Sequence, residues 1–174
     1  MLRFTVYFSL ITFAITQLVC AQVLPETTLT HETQKCPTFK CTPFEGKEID
    51  LKKLRGKVVL VSFFTTNCDP CIDEMAPLEK EVWQKFKDKK FAMVAIGRGH
   101  QNKELSEFAK QHQVSFPLAG DPKQKIYGLF ATMHVPRNYV IDGKGNITYQ
   151  SVGYDTDEFA MMIKAIQREL EILK

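Results

Sequence analysis

The chain has 174 residues, 44% hydrophobic and 25% charged, with a net charge of +3 at pH 7. That length suits one domain able to bury a core, and the composition is ordinary for a globular protein. The charge is too small to point to nucleic acid or a membrane surface as a partner, and no internal repeat or low-complexity tract is present.

Arg3, a mostly apolar run from Phe4 to Val19, and the small-residue site Val19-Cys20-Ala21 before Gln22 read as a cleavable signal peptide over residues 1–21. The run is short for a bilayer span and is broken by Thr5, Ser9, Thr12, Thr16 and Gln17, so no stable membrane span is expected after cleavage. A retained anchor stays open, as does lipidation at Cys20, although Val19 stands where a lipobox calls for Gly, Ala or Ser. The expected localisation is periplasmic or otherwise exported, possible membrane anchoring included. An exported chain meets an oxidising compartment, where the remaining cysteines, Cys36, Cys41, Cys68 and Cys71, can do disulfide chemistry.

Residues 22–35 are polar and turn-rich, a loose lead-in to a domain over 36–174. Cys36 and Cys41 come next, before a turn at Glu45-Gly46-Lys47 and a short hairpin. Fully extended, their Cα atoms would stand about 17 Å apart. A disulfide needs less than about 7 Å, so a bridge requires a bend, for which Pro37 is suited. A structural Cys36–Cys41 disulfide, two buried free thiols and other pairings all remain open. Zinc on Cys36, Cys41, Cys68 and Cys71 is a further alternative, with spacing unlike a usual ribbon. Asp50 to Gly56 reads as a single helical turn ended by glycine.

Val58 to Phe64 is a run of apolar or small residues, the pattern of a strand buried on both faces. Thr65-Thr66-Asn67 links it to Cys68-Asp69-Pro70-Cys71 and a helix running to about Lys89. Two cysteines two residues apart at a strand-to-helix junction make a redox pair. Cys68 falls at the helix N-terminus and Cys71 one turn in, so the sulfurs can meet. The unpaired N–H groups and dipole of the first turn favour a thiolate at Cys68 by about 1–2 kcal/mol, roughly one pKa unit. Pro70 suits the first helical turn. Cys68 is therefore the expected attacking thiolate and Cys71 the shielded resolving thiol. Cys71, Met75, Leu78, Val82 and Phe86 share an apolar face, and Glu74 flanks it one turn from Cys71. There a desolvated carboxyl would have a raised pKa and could exchange a proton with Cys71. The alternative is a solvated glutamate paired with a lysine, as Glu81 and Lys85 read.

Phe91 to Ile96 is a second strand, completing a right-handed β-α-β unit. The following loop, Gly97-Arg98-Gly99-His100, either borders the site or is solvated. Asn102 is expected to cap a helix whose Leu105, Phe108, Ala109 and His112 share a face. His112 reads as a packing or surface residue. Asp121-Pro122 is expected to start a short helix with Ile126, Leu129 and Phe130 inward. Pro136 then precedes a strand, Asp142 to Asn146 is a hairpin turn, and Ile147 to Val152 returns. A last helix starts at Asp155 with Glu158 at its third position and Phe159, Met162, Ile163, Ile166, Leu170 and Leu173 as its core face. The class is α/β.

The run from Cys68 to Met75 resembles the thioredoxin superfamily, specifically its exported TlpA/ResA-like thiol–disulfide oxidoreductases, whose motif reads Trp-Cys-x-Pro-Cys-x-x-Glu-(Phe/Met)-Pro. Here Asn67 replaces the tryptophan, and Ala76-Pro77 stands where a single proline is usual. The resemblance covers about residues 37–172. It implies a thioredoxin-like three-layer α/β/α sandwich with a mixed central sheet and an N-terminal β-hairpin. It also implies that Val135-Pro136 is a cis-proline loop facing the redox pair, with Val135 offering its backbone to substrate and Pro136 keeping metals off the thiols. Asn67, Asp69 and Pro70 then complete the substrate-binding rim. Arg137 stands where relatives often carry threonine. Thioredoxins proper have a buried aspartate where this chain has Ser62, which leaves Glu74 as the nearby proton carrier.

The resemblance implies a monomeric enzyme without cofactor or bound metal. It would exchange the Cys68–Cys71 pair with exported protein thiols and disulfides, cytochrome c maturation components among them, and be recharged by a redox partner. Two other functions compete. Thr65-x-x-Cys68 matches part of a peroxiredoxin motif, which would make Cys68 a peroxidatic cysteine, but Val61 replaces the motif's proline. A metal-delivery role resembling copper chaperones would use His134, but those proteins space their cysteines by three residues.

Overall fold

A computed structural model describes residues 26–174; the leader read over residues 1–21, with Cys20, lies outside them. Among the described residues no helix is long and apolar enough to cross a membrane. The expected hairpin is present as β1 (Lys40–Cys41) and β2 (Ile49–Asp50), followed by a 3-10 turn over Leu51–Leu54. Asp50 caps that turn by accepting the N–H of Lys52 at 3.0 Å.

The apolar run forms β3 (Val58–Phe64), buried at every position. It is the middle strand of a five-stranded sheet. On one side it pairs in parallel with β4 (Phe91–Arg98), which pairs in parallel with β5 (Leu118–Asp121). On the other side lie β6 (Arg137–Ile141) and β7 (Ile147–Val152), both antiparallel to their neighbours, so the sheet is mixed. A strand with partners on both sides and layers on both faces has no solvated side, which explains a hydrophobic run broken only by the small Ser62.

The two faces alternate along β3. Val58, Leu60 and Phe64 point into a core shared with α1 (Asp69–Pro77), α3 (Asn102–His112) and α4 (Thr156–Ile172). Val59, Val61 and Phe63 point into a second core closed by Cys36, Phe39, Cys41, Leu51, Tyr127 and Phe130. That layer holds 3-10 turns and loops where a further helix was expected. The stretch read as a loose lead-in is docked over residues 27–35, through bridges Thr28–Ala131 and Lys35–Asn146 and the Thr33 N–H donating to Ile147 O at 2.7 Å.

Local differences from the sequence reading have identifiable causes. The helix after Cys71 is α-helical only to Pro77, π-helical over Leu78–Trp83, and α-helical again in α2 (Gln84–Phe86). Pro77 lacks the N–H for the α-helical ladder and crowds the preceding turn, the usual setting for such a slip. Gln101, not Asn102, caps α3, in a reciprocal box with Glu104. Asn102 instead ties elements together: its Oδ1 accepts the Gly120 N–H at 2.7 Å and its Nδ2 donates to Thr42 O at 3.0 Å. A Cβ on Gly120 would meet His100 O at 2.5 Å, so this approach requires glycine.

No helix starts at Pro122. The buried Asp121 carboxylate accepts the N–H groups of Lys125, Ile126 and Tyr127 at 2.8–2.9 Å and folds the segment into a bend with a 3-10 turn over Tyr127–Leu129. Phe130 is inward as expected and Ile126 partly so, but Tyr127 is buried as well and Leu129, expected inward, is 43% exposed. His112 packs on the Phe108 ring with centroids 4.3 Å apart.

Candidate active site

Strand β3 ends at the sheet edge where Thr65, Thr66 and Asn67 lead into the helix. Cys68 is the N-cap of α1, in extended conformation, and its Sγ accepts the Cys71 N–H at 3.3 Å. Cys68 and Cys71 are joined as a disulfide, with Cα atoms 5.2 Å apart. Pro70 lies in the first helical turn, and Asn67, Asp69 and Pro70 are exposed around a half-buried Cys68. Cys71 is completely buried. The pair thus presents one sulfur outward and one inward.

The loop before β6 faces this pair. The Val135–Pro136 bond is cis, and the Val135 carbonyl oxygen lies 3.7 Å from Cys68 Sγ. The Tyr127 hydroxyl donates to His134 O at 2.7 Å. Two residues past Pro136, Asn138 opposes Ser62 across the β3–β6 ladder.

Beneath Cys71 lies Glu74, 1% exposed. Burial pushes its carboxyl up to about 8, and a hydrogen bond from Asn138 acts in the opposite direction. Asn138 Nδ2 supplies that bond to Glu74 Oε1. Glu74 Oε2, Asn138 Oδ1 and Ser62 Oγ are buried with no further partner among the described residues. A carboxyl poised near thiol pKa values, one turn from a shielded cysteine, is suited to moving a proton in the neutral range.

The AhpC/TSA family matches residues 33–150 of the chain. A thiol–disulfide oxidoreductase ResA of Bacillus thuringiensis is 35% identical over 125 residues, 72% of each protein. The chain belongs to this thioredoxin-like family. Its fold agrees with the solution structure of a candidate protein disulfide isomerase from Bacteroides thetaiotaomicron at a TM-score of 0.80 and 33% identity, over 83% of this chain and 93% of the other. A candidate thiol:disulfide interchange protein DsbE from Chlorobium tepidum matches at a TM-score of 0.70 and 25% identity, over 80% and 98%. With the Cys68–Cys71 pair at disulfide distance, this ResA-like member is a thiol–disulfide oxidoreductase.

Other residues singled out in the sequence take varied places in the family fold. Cys36 and Cys41 are free and buried in the second core, across the sheet from Cys71, so the four cysteines do not gather around a zinc ion. Burial pushes both thiols up to about 12. His100 borders the site: Thr66 donates its N–H to His100 Nε2 at 3.2 Å, and Nδ1 lies 3.2 Å from Glu104 Oε2. Arg98 stacks 4.4 Å above the Tyr127 ring.

Two residues beside the redox pair escape sequence reasoning. Arg137 stands out in the sequence only as a departure from the usual threonine, yet it is fully buried. Asn138 belongs to no motif, although a polar residue in a strand with both faces covered, two past Pro136, is a signal in itself.

Proposed function

We propose that the protein exchanges its Cys68–Cys71 pair with cysteines of exported proteins. In the reducing direction the Cys68 thiolate attacks a substrate disulfide, forming a mixed disulfide and releasing one substrate thiolate. Ionised Glu74 takes the Cys71 proton; the Cys71 thiolate then attacks Cys68 Sγ, releases the second substrate thiolate and closes the Cys68–Cys71 disulfide. Two electrons pass from the dithiol to the substrate, and the reverse sequence oxidises a substrate dithiol.

The substrate segment lies along Val135-Pro136, with Asn67, Asp69 and Pro70 as rim. The observation that carries this reading is the division of the pair: a half-exposed Cys68 facing the Val135 carbonyl and a sealed Cys71.

Residues 1–21 act as a leader, the domain working in an exported, periplasm-like compartment as a monomer. A separate redox partner recharges the dithiol. Cytochrome c maturation components are the narrower substrate class suggested by the resemblance.

The test is trapping. Cys71→Ser is expected to accumulate a Cys68 mixed disulfide with a protein substrate, while Cys68→Ser forms none. The reduced wild type should cleave insulin disulfides far faster than it consumes hydrogen peroxide. Rapid peroxide turnover without insulin reduction would replace this reading with the Cys68 peroxidase.

A further inference from the structure

Arg137 opens β6 immediately after Pro136, and none of its surface reaches solvent. Its guanidinium is surrounded by oxygen. Nε donates to the carbonyls of Met133 at 2.9 Å and His134 at 3.1 Å, and Nη2 donates to Met133 O at 2.8 Å. On the other side Nη1 donates to Thr28 Oγ1 at 2.8 Å, and Nη2 to Thr27 Oγ1 at 2.9 Å and Thr27 O at 3.4 Å. Every one of these acceptors is neutral.

Burying a cation without a carboxylate is costly, and an apolar side chain would fill the space more cheaply. What the guanidinium adds is geometry. Its rigid planar fork holds consecutive carbonyls in one arrangement, which a lysine ammonium on a flexible stem does not. The carbonyls it holds, Met133 and His134, lead directly to Val135, whose own carbonyl faces Cys68 Sγ. His134 sits at φ +69, a left-handed conformation uncommon for a residue with a side chain. Donors from Arg137 and Tyr127 on its carbonyl fix it there. The far end of the fork is completed by the segment entering the domain, which Thr132 also joins by donating its N–H to Thr27 O at 2.9 Å.

We propose that Arg137, seated on Thr27 and Thr28, is the positioning residue that sets the Met133–Val135 loop against Cys68, making the entering segment part of the substrate groove. This rests on the reading that the groove takes a protein substrate. A small disulfide that reaches Cys68 without using the groove should be indifferent to the arrangement.

The experiment compares wild type, Arg137→Lys, Arg137→Gln and Thr27→Val/Thr28→Val in the full mature chain. It reads kcat and KM for insulin with dithiothreitol as the reductant, the rate at which the reduced protein cleaves the small linear disulfide of hydroxyethyl disulfide, and the thermal midpoint. The expected result is a KM for insulin raised about threefold to tenfold in Arg137→Lys and the double valine variant, and further in Arg137→Gln. Their kcat and hydroxyethyl disulfide rates should stay within about twofold of wild type.

An unchanged KM in folded variants, beside an active wild type, overturns the inference alone. So does a parallel fall of both reactions that follows the loss of folded protein. A wild type that turns over hydroxyethyl disulfide but never insulin overturns the groove reading, and the inference with it.

Discussion

Asn138 Nδ2 donates to Glu74 Oε1 at 2.6 Å, from strand β6 to helix α1, beneath the redox disulfide. The bond favours the ionised carboxyl and opposes the burial that pushes Glu74 up to about 8. If ionised Glu74 takes the Cys71 proton, the resolving step rises with pH through that value. Asn138→Ala should move this limb upward by about one pH unit. Glu74→Gln should remove the limb and slow resolution by about tenfold to a hundredfold. Stopped-flow exchange across pH 6–10 (roughly the window around a thiol-range pKa) checks both.

Glu74 also links pH to stability. In the unfolded chain its carboxyl ionises near 4.5, whereas in the fold it holds its proton to about 8. Between those values the folded state binds more protons, so stability falls as pH rises, and above the folded value the whole cost is present. From 4.5 to about 8 that cost is on the order of 5 kcal/mol. Glu74→Gln should abolish this slope and be more stable than wild type above pH about 8. Urea unfolding midpoints at several pH values measure it.

The free thiols offer a separate check. Cys36 and Cys41 are buried, with their thiols pushed up to about 12. In the oxidised protein both should resist iodoacetamide until denaturant is added, and both should then react. Cys36→Ala/Cys41→Ala should leave the Cys68–Cys71 potential unchanged. Mass-spectrometric thiol counting during a redox titration reads both outcomes.

Asp121 anchors the bend that carries Tyr127 and, through it, His134. Asp121→Ala leaves three backbone N–H groups without their acceptor, those of Lys125, Ile126 and Tyr127. The expected loss is about 3 kcal/mol, measurable by denaturant unfolding. Exchange with insulin should weaken as well, since the loop facing Cys68 loses its support.

Much of this was legible in the sequence, for physical reasons. Val58–Phe64 had to be a central strand because a run of apolar residues broken only by the small Ser62 has no charged or strongly polar face to turn to water. The cysteine spacing at its end fixed the helix start. Other features depend on contacts remote in sequence. Strand β5 is short and ends in a charged residue whose role, accepting N–H groups, appears only when the bend closes on it. Asn102 has the composition of a cap but serves Gly120 and Thr42. The burial of Arg137 is not legible in the sequence because its partners, Thr27 and Thr28, lie 110 and 109 positions away. Such pairings have no periodicity to betray them.

The way the chain enters the domain also bears on handling the protein. Thr27 and Thr28 are bonded beside the loop that faces the disulfide, whereas the Leu173 carbonyl accepts from Lys90 just ahead of β4, at the opposite end of the sheet. A purification tag or tether fused ahead of Thr27 would therefore hang over the mouth through which a partner's cysteines arrive. A reporter placed after Lys174 would leave that approach open.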